Sequence, residues 1–262
     1  MKKLISLICV LAMVLALAAC GSSAPAAATE APAASTEAPA EDVSADKTFV
    51  VGICQLVQHP ALDAATQGFK DALTEALGDK VTFQEQNASG DSATCSLICN
   101  QFVSDEVDLI MANATASIQA AASATNTIPI LGTSITDYGV ALGVDNWTGV
   151  SGTNISGTSD LAPLDGQAAM IQELFPDAKT IGLLYCSGEP NSIFQADSME
   201  ALLTDMGYSV ERYTFADSND VSSVTANACS NSDVLYIPTD NTAASCTEAI
   251  NNVALRAGIP IV

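Results

Sequence analysis

The stretch Phe49-Val-Val-Gly-Ile-Cys-Gln-Leu-Val57 decides the fold class, because an almost unbroken apolar run rich in β-branched residues predicts a strand buried on both faces. Strands of this kind belong to parallel sheets whose faces are covered by helices. Short apolar runs and helical stretches alternate after it, as in β-α-β units. The sequence therefore predicts strands at residues 81–86, 108–112 and 128–132, and helices at residues 61–77, 92–104 and 115–124.

The second half of the chain repeats this pattern. A predicted strand at residues 180–186 carries Gly182 where the first strand carries Gly52, and Ile259-Pro-Ile-Val262 echoes Ile128-Pro-Ile-Leu131. We therefore expect an α/β fold of two Rossmann-like lobes with parallel sheets, at residues 48–155 and 156–262. The first lobe continues to a further strand around residues 148–151 that the second lobe lacks, which predicts that the second lobe is C-terminally truncated. The other predicted elements are helices at 191–206, 221–229 and 243–257, and strands at 209–215, 233–238 and 259–262.

The N-terminal residues 1–20 have the features of a lipoprotein signal peptide. Lys2 and Lys3 precede an apolar run that is too short to span a bilayer and that closes on Leu17-Ala-Ala-Cys20, a stretch resembling the bacterial lipobox. Cys20 is then the lipid attachment site. Residues 21–47 are rich in Ala, Pro, Ser, Thr and Glu, a composition that predicts a disordered tether. The expected location is the extracytoplasmic face of the cell membrane, with the lipid anchor as the membrane contact.

Composition and charge exclude several function classes. The 262 residues carry a formal net charge of −22, and such a surface repels the phosphates of nucleic acids. The stretch Gly152-Thr-Asn-Ile-Ser-Gly157 has the glycine spacing of a P-loop, but Thr158 and Ser159 follow where a P-loop requires Lys. We expect Gly149, Gly152 and Gly157 instead to give the crossover between the lobes the freedom that hinge closure needs.

Cysteine usage predicts no metal site and no cofactor. Cys95 and Cys99 lie four residues apart, but no second close pair or His completes a zinc site. An exported protein can form disulfides, and the sequence does not determine any pairing. Burial of the free thiols as small apolar side chains is the favoured alternative. Cys54 and Cys186 end the first predicted strands of the two halves, which leaves open a racemase-like enzyme that transfers protons between two thiols.

Several motifs after the predicted strands resemble one family. The motifs are Gln58-His-Pro-Ala-Leu-Asp-Ala-Ala65, Glu189-Pro-Asn-Ser192 and Tyr236-Ile-Pro-Thr-Asp-Asn-Thr242. Together they resemble the ABC transporter substrate-binding lipoproteins of the tryptophan or aromatic amino-acid type, which have the type I periplasmic-binding-protein fold. The resemblance implies capture of a small solute between two lobes and its delivery to a membrane permease driven by a separate ATPase subunit. A solute-sensing ectodomain is an alternative.

The resemblance also implies a ligand site in the cleft between the lobes, at the carboxyl ends of the strands. If the solute is an amino acid, Asp137 or Asp240 is expected to bind its ammonium, and Gln55 and His59 its side chain. Plain helix capping is the alternative for each of these polar residues. The remaining expected ligand-binding residues, among them those for the ligand carboxylate, are Thr115, Ser134, Thr136, Glu189, Asn191, Ser192, Thr239 and Asn241.

Overall fold

The computed structural model describes residues 47–262. The predicted signal peptide with Cys20, and all but the last residue of the predicted tether, lie outside these residues. Among the helices that are described, none combines the length and the apolar content that a membrane span requires.

The first lobe is a parallel sheet with helices on both faces, as predicted. Helix α1 covers one face, where it packs near Val51 and Ile53, and α2 and α3 cover the other. The five strands take the order β2-β1-β3-β4-β5. The elements of this lobe are β1 (Phe49–Gln55), α1 (Pro60–Leu77), β2 (Val81–Asn87), α2 (Ser92–Ser104), β3 (Leu109–Asn113), α3 (Thr115–Ala124), β4 (Ile130–Ile135), α4 (Tyr138–Leu142) and β5 (Ile155–Ser159).

The second lobe repeats the first three strands in the same order. Its parallel sheet runs β7-β6-β8, which corresponds to β2-β1-β3 of the first lobe. This shared order confirms the two-lobe α/β fold that the sequence predicts. The elements of this lobe are α5 (Leu164–Leu174), β6 (Thr180–Cys186), α6 (Pro190–Asp205), β7 (Ser209–Phe215), α7 (Val221–Asn231), β8 (Val234–Tyr236), α8 (Asn241–Ser245) and α9 (Thr247–Ala257).

The amino ends of the two sheets are anchored in the same way. The Asp108 carboxylate, just before β3, accepts a hydrogen bond from the backbone N–H of Val50 at 2.9 Å. The Asp233 carboxylate, just before β8, accepts one from the backbone N–H of Thr180 at 2.9 Å. Each Asp thereby ties the start of the central strand to its neighbour, and these hydrogen bonds lower the pKa of Asp233 and contribute, after Lys47, to the lowered pKa of Asp108.

Four sequence predictions for the fold are wrong. The strand expected around residues 148–151 forms instead at Ile155–Ser159, where it pairs with β4, so the first sheet extends past residue 155. Gly157 therefore lies within this strand, against the backbone carbonyl of Gly132, and not in a crossover. The helix expected at residues 243–257 is broken at Cys246, and the strand expected at 259–262 is a parallel bridge between Leu235 and Ile261.

Candidate ligand cleft

A cavity of about 420 Å³ lies between the two lobes, at the carboxyl ends of their strands. Its size falls in the range of small-molecule sites, and carboxyl-end crevices are where open parallel sheets bind ligands. Both lobes contribute to its wall. The lining residues of the first lobe are Leu56, Val57, Ser89, Gly90, Asp91, Ser92 and Ala116, and those of the second are Cys186, Gly188, Glu189, Ala216, Asp217, Ser218, Asn241, Thr242 and Ser245.

In the first lobe, Gln55 is held by a buried hydrogen-bond network. Its side-chain oxygen accepts from the Thr66 hydroxyl at 2.6 Å, and its side-chain nitrogen donates to Asp63 at 2.7 Å. The Asn113 amide in turn donates to Thr66 at 2.9 Å. Both ends of the Gln55 amide are thus engaged within the lobe. Thr66, which sequence reasoning missed, and Asn113 belong to the same network.

Glu189 organises the second lobe at the cleft. Its buried carboxylate accepts from the backbone and side chain of Thr242, both at 2.8 Å, and from the backbone and side chain of Asn241 at 3.0 and 2.7 Å. The Asn191 amide donates to it at 3.2 Å. Since the carboxylate receives these donors at both oxygens, it fixes the start of α8 against the start of α6. Two of the three motifs that carry the family resemblance therefore meet in one hydrogen-bond network.

This network determines how Asn241 faces the other lobe. A carboxylate only accepts, so the Asn241 amide must turn its nitrogen to Glu189 and its oxygen outward. That oxygen lies 3.4 Å from Nε2 of His59, which comes from the first lobe. The contact therefore requires a hydrogen on His59 Nε2. His59 and Asn241, predicted as ligand contacts, are brought together here as a bridge between the lobes.

A second bridge joins Thr136 of the first lobe to Thr239 of the second, with their hydroxyl oxygens 3.4 Å apart. The Gln195 side-chain oxygen accepts from the Thr239 hydroxyl at 2.9 Å, and the Asn191 amide donates to the Thr239 carbonyl at 3.1 Å. Gln195 was missed from the sequence, although it lies one helical turn after Asn191 and so on the same face of α6.

The two predicted ammonium partners both cap helices. The Asp137 carboxylate accepts from the backbone N–H of Val140 at 2.8 Å, and Asp137 borders a separate cavity beside Trp147. The Asp240 carboxylate accepts from the backbone N–H groups of Ala243 at 2.7 Å and Cys186 at 2.6 Å. Burial, and then the nearby Glu189 carboxylate, raise the pKa of Asp240.

The other predicted residues differ in whether they reach the cavity wall. Helix α3 starts at Thr115 without a side-chain cap, and Ala116 of its first turn lines the cavity. This helix start therefore presents backbone N–H groups to a ligand. Ser192 is fully buried, and its hydroxyl oxygen accepts from the Asn191 amide at 3.3 Å. Ser134 lies at the irregular end of β4, with a positive φ of 57°, and is absent from the cavity wall.

The geometry contradicts the two-thiol racemase. Cys54 is fully buried inside the first lobe, with its sulfur 3.6 Å from the Ser117 hydroxyl, and only Cys186 reaches the cavity wall. A hydrogen bond with Cys95 lowers the pKa of Cys54, but the hydrogen bond with Cys99 and burial outweigh it and raise the pKa to about 12. Cys54 thus lies away from the cavity, and its raised pKa keeps the thiol protonated. It lacks both the position and the thiolate form that a catalytic base needs.

Comparisons with known proteins agree with this geometry. The family of proteins described as "ABC transporter substrate binding protein" matches residues 50–262. The tyrosine-binding protein of Clostridioides difficile strain R20291 is 39% identical over 215 residues, which are 81% of this chain and 62% of that protein. The chain thus spans less than two thirds of the length of that relative.

Two solved structures bear on the arrangement of the lobes. The ABC domain from Streptococcus pneumoniae in complex with L-Trp is 32% identical and has a TM-score of 0.78, over 82% of this chain and 73% of that chain. The ligand-free, open structure of a substrate-binding protein with adhesive properties from Clostridium difficile is 39% identical over the same shares, but its TM-score is 0.56. The structure therefore superposes better on the complex than on the ligand-free, open structure, despite the lower identity.

The two bridges bring the lobes into direct contact beside the cavity. The fold is the type I periplasmic-binding-protein fold, as the resemblance implied, and the family consists of solute-binding proteins rather than enzymes. By sequence match, fold and cleft geometry, this chain belongs to the family of ABC transporter substrate-binding proteins.

Proposed function

We propose that this chain is the extracytoplasmic solute-binding component of an ABC importer and captures an aromatic amino acid between its lobes. The observation that carries the proposal is the 420 Å³ cavity, which is walled by both lobes and lies beside their direct bridges. A relative that binds tyrosine and a similar structure in complex with L-Trp support the aromatic class of solute. The protein acts by binding and not by catalysis.

The start of α3 is the place for the carboxylate of the amino acid. The N–H groups of Thr115 and Ala116 donate to no described residue, no side chain caps the helix, and Ala116 borders the cavity. The His59–Asn241 and Thr136–Thr239 bridges hold the lobes closed over the ligand. The ligand therefore lies deepest at α3 and is released when these two bridges open.

The segments before residue 47 supply the membrane attachment in this proposal. Residues 1–20 direct export, Cys20 carries the lipid, and residues 21–47 tether the lobes. The partners are a permease and an ATPase subunit, and neither a cofactor nor nucleic acid takes part. A tethered binding protein of this kind holds captured solute near the permease.

Ligand-induced thermal stabilisation tests the proposal. We expect L-tyrosine, L-tryptophan or L-phenylalanine to raise the melting temperature of the mature chain, with about 2.7 kcal/mol of stabilisation at 100 times the dissociation constant. L-Aspartate is the ligand control. Ala116→Phe fills the cavity and should abolish the shift, whereas Ala226→Phe, on an exposed helix face, should keep it. Absence of a shift with every aromatic amino acid would refute the proposal.

A further inference from the structure

Gln195 holds one residue of the second lobe at three points. This side chain of α6 is buried, and it is not part of the cavity wall. Its oxygen accepts from the Thr239 hydroxyl at 2.9 Å and from the Thr239 backbone N–H at 3.3 Å, while its nitrogen donates to the Thr239 carbonyl at 3.3 Å. The nitrogen also donates to the Asn191 carbonyl at 3.1 Å. These four bonds use the full hydrogen-bonding capacity of the Gln195 amide.

These bonds decide in which direction the bridge between Thr239 and Thr136 can run. A hydroxyl group has one hydrogen, and Thr239 gives its hydrogen to Gln195. The Thr239 oxygen is therefore left as an acceptor where it faces the Thr136 hydroxyl of the first lobe, at 3.4 Å. The hydrogen of this bridge must come from Thr136.

The other bridge between the lobes runs in the same direction. Glu189 binds the amide nitrogen of Asn241, so the Asn241 oxygen is the atom that meets Nε2 of His59. The second lobe thus presents an acceptor at both bridges, and the first lobe supplies both hydrogens. In each bridge, a buried side chain behind the contact, Glu189 or Gln195, sets this direction.

We propose, on the basis of the function proposed above, that Gln195 is a positioning residue for solute capture. It acts through Thr239, because it holds the Thr239 hydroxyl as an acceptor for Thr136 and so favours the arrangement in which the lobes are joined over the solute. Without Gln195, the hydroxyl rotates freely, and the bridge loses the geometry that a hydrogen bond needs. Loss of Gln195 therefore weakens solute binding from outside the cavity wall.

Asp160 of the first lobe competes for the same hydrogen. Burial raises the pKa of Asp160, and a hydrogen bond with the Thr136 side chain lowers it in part. Thr136 therefore has two acceptors, one in its own lobe and one across the cleft. The variants must separate a role of Thr136 at Thr239 from a role at Asp160.

Calorimetric titration of the mature chain, with a double-mutant cycle, tests the proposal. The ligand is L-tyrosine or L-tryptophan, whichever binds the unmodified chain more tightly. Gln195→Met and Thr136→Val should each weaken binding about fivefold, as expected for one neutral hydrogen bond. In the Thr136→Val background, Gln195→Met should add less than about twofold, because the partner of the held hydroxyl is already gone. A purely structural Gln195 would weaken binding by the same factor in both backgrounds. The exposed Gln101→Met is the control and should bind normally.

Changes at the bridge itself keep the test independent of how well Gln195→Met folds. Thr239→Val removes the accepting oxygen and should weaken binding about fivefold, whereas Thr239→Ser keeps that oxygen and should bind within about twofold of the unmodified chain. Asp160→Ala removes the competing acceptor and should bind at least as tightly as the unmodified chain.

Three results would overturn the inference. They are an equal effect of Gln195→Met in both backgrounds, normal binding by Thr239→Val, and a loss with Asp160→Ala that matches the loss with Thr136→Val. Each of these leaves amino-acid capture standing. An unmodified chain that binds no aromatic amino acid would refute the proposed function, and this inference with it.

Discussion

The two lobes are alike at the amino ends of their sheets and different at the carboxyl ends. Asp108 and Asp233 make equivalent bonds to the starts of β1 and β6. At the cleft, the first lobe is built around the neutral amide of Gln55, whereas the second is built around the buried acids Glu189 and Asp240. The repeat has therefore kept the parts that build a sheet and has diverged at the cleft.

The difference has an energetic consequence. A buried amide such as that of Gln55 contributes modestly to the free energy of unfolding when it is hydrogen-bonded. Burying a carboxylate costs desolvation free energy, which its hydrogen bonds offset. When the carboxylate is removed, the buried N–H and O–H donors lose their acceptor and destabilise the folded state. The second lobe should therefore be the more sensitive to mutation at the cleft and the more sensitive to pH.

The largest expected effect is at Glu189. Glu189→Ala leaves the N–H groups of Asn241 and Thr242 without their acceptor, and should lower the free energy of unfolding by about 3–5 kcal/mol. Gln55→Ala, the matched change in the first lobe, should cost about 1–3 kcal/mol, because Asp63 can turn to solvent. Urea denaturation measures both. Equal losses would remove the energetic distinction between the lobes.

Much of the fold could be predicted because its signals are local. The run at β1 and its repeat at β6 are both apolar, and α2 begins at Ser92, as predicted, with Asp91 as its cap. The strand β5 was misplaced because Ile155 is its one buried residue, so its sequence carries no apolar pattern. The break at Cys246 has no Gly or Pro to indicate it.

Of the predicted ligand-binding residues, Glu189 and Asn241 line the cavity, and both are engaged in hydrogen bonds within the protein. Sequence reasoning selected Glu189 and Asn241 from motifs, and His59 from its position after the first strand. That Asn241 joins the other two depends on a contact between residues 182 positions apart, which leaves no local pattern. Asp137 and Asp240 illustrate the same limit, because a residue that caps a helix and one that binds an ammonium look alike in a sequence.

An effect of intermediate size is expected in the pH dependence of the free energy of unfolding, to which Asp240 contributes. Its pKa is raised in the folded state, so the folded protein holds this proton more tightly than the unfolded chain. Between the unfolded value near 4 and the raised folded value near 6, stability from this group must fall as the pH rises, by about 2 kcal/mol. Asp240→Asn should remove that fall when urea midpoints are compared across the window.

Asp233→Asn is the control of opposite sign. The pKa of Asp233 is lowered by its backbone bonds, so its contribution is present above the unfolded value and is lost as the pH falls. This variant should flatten the acid side of the stability profile and leave the fall between pH 4 and 6 in place. A profile of Asp240→Asn that parallels the unmodified protein would show that Asp240 is not the group responsible.

The smallest effect tests the similarity of the lobes at their amino ends. Asp108→Asn and Asp233→Asn should each cost at most about 1 kcal/mol, because both carboxylates are partly or largely exposed. Asp108 also pairs with Lys47 at 2.7 Å, whereas Asp233 bonds to the N–H groups of Lys179 and Thr180. Salt screens an exposed ion pair more than hydrogen bonds to backbone N–H groups. Raising the salt concentration should therefore shrink the cost of Asp108→Asn more than that of Asp233→Asn in urea denaturation, and equal shrinkage would mean that Lys47 contributes nothing to the anchor.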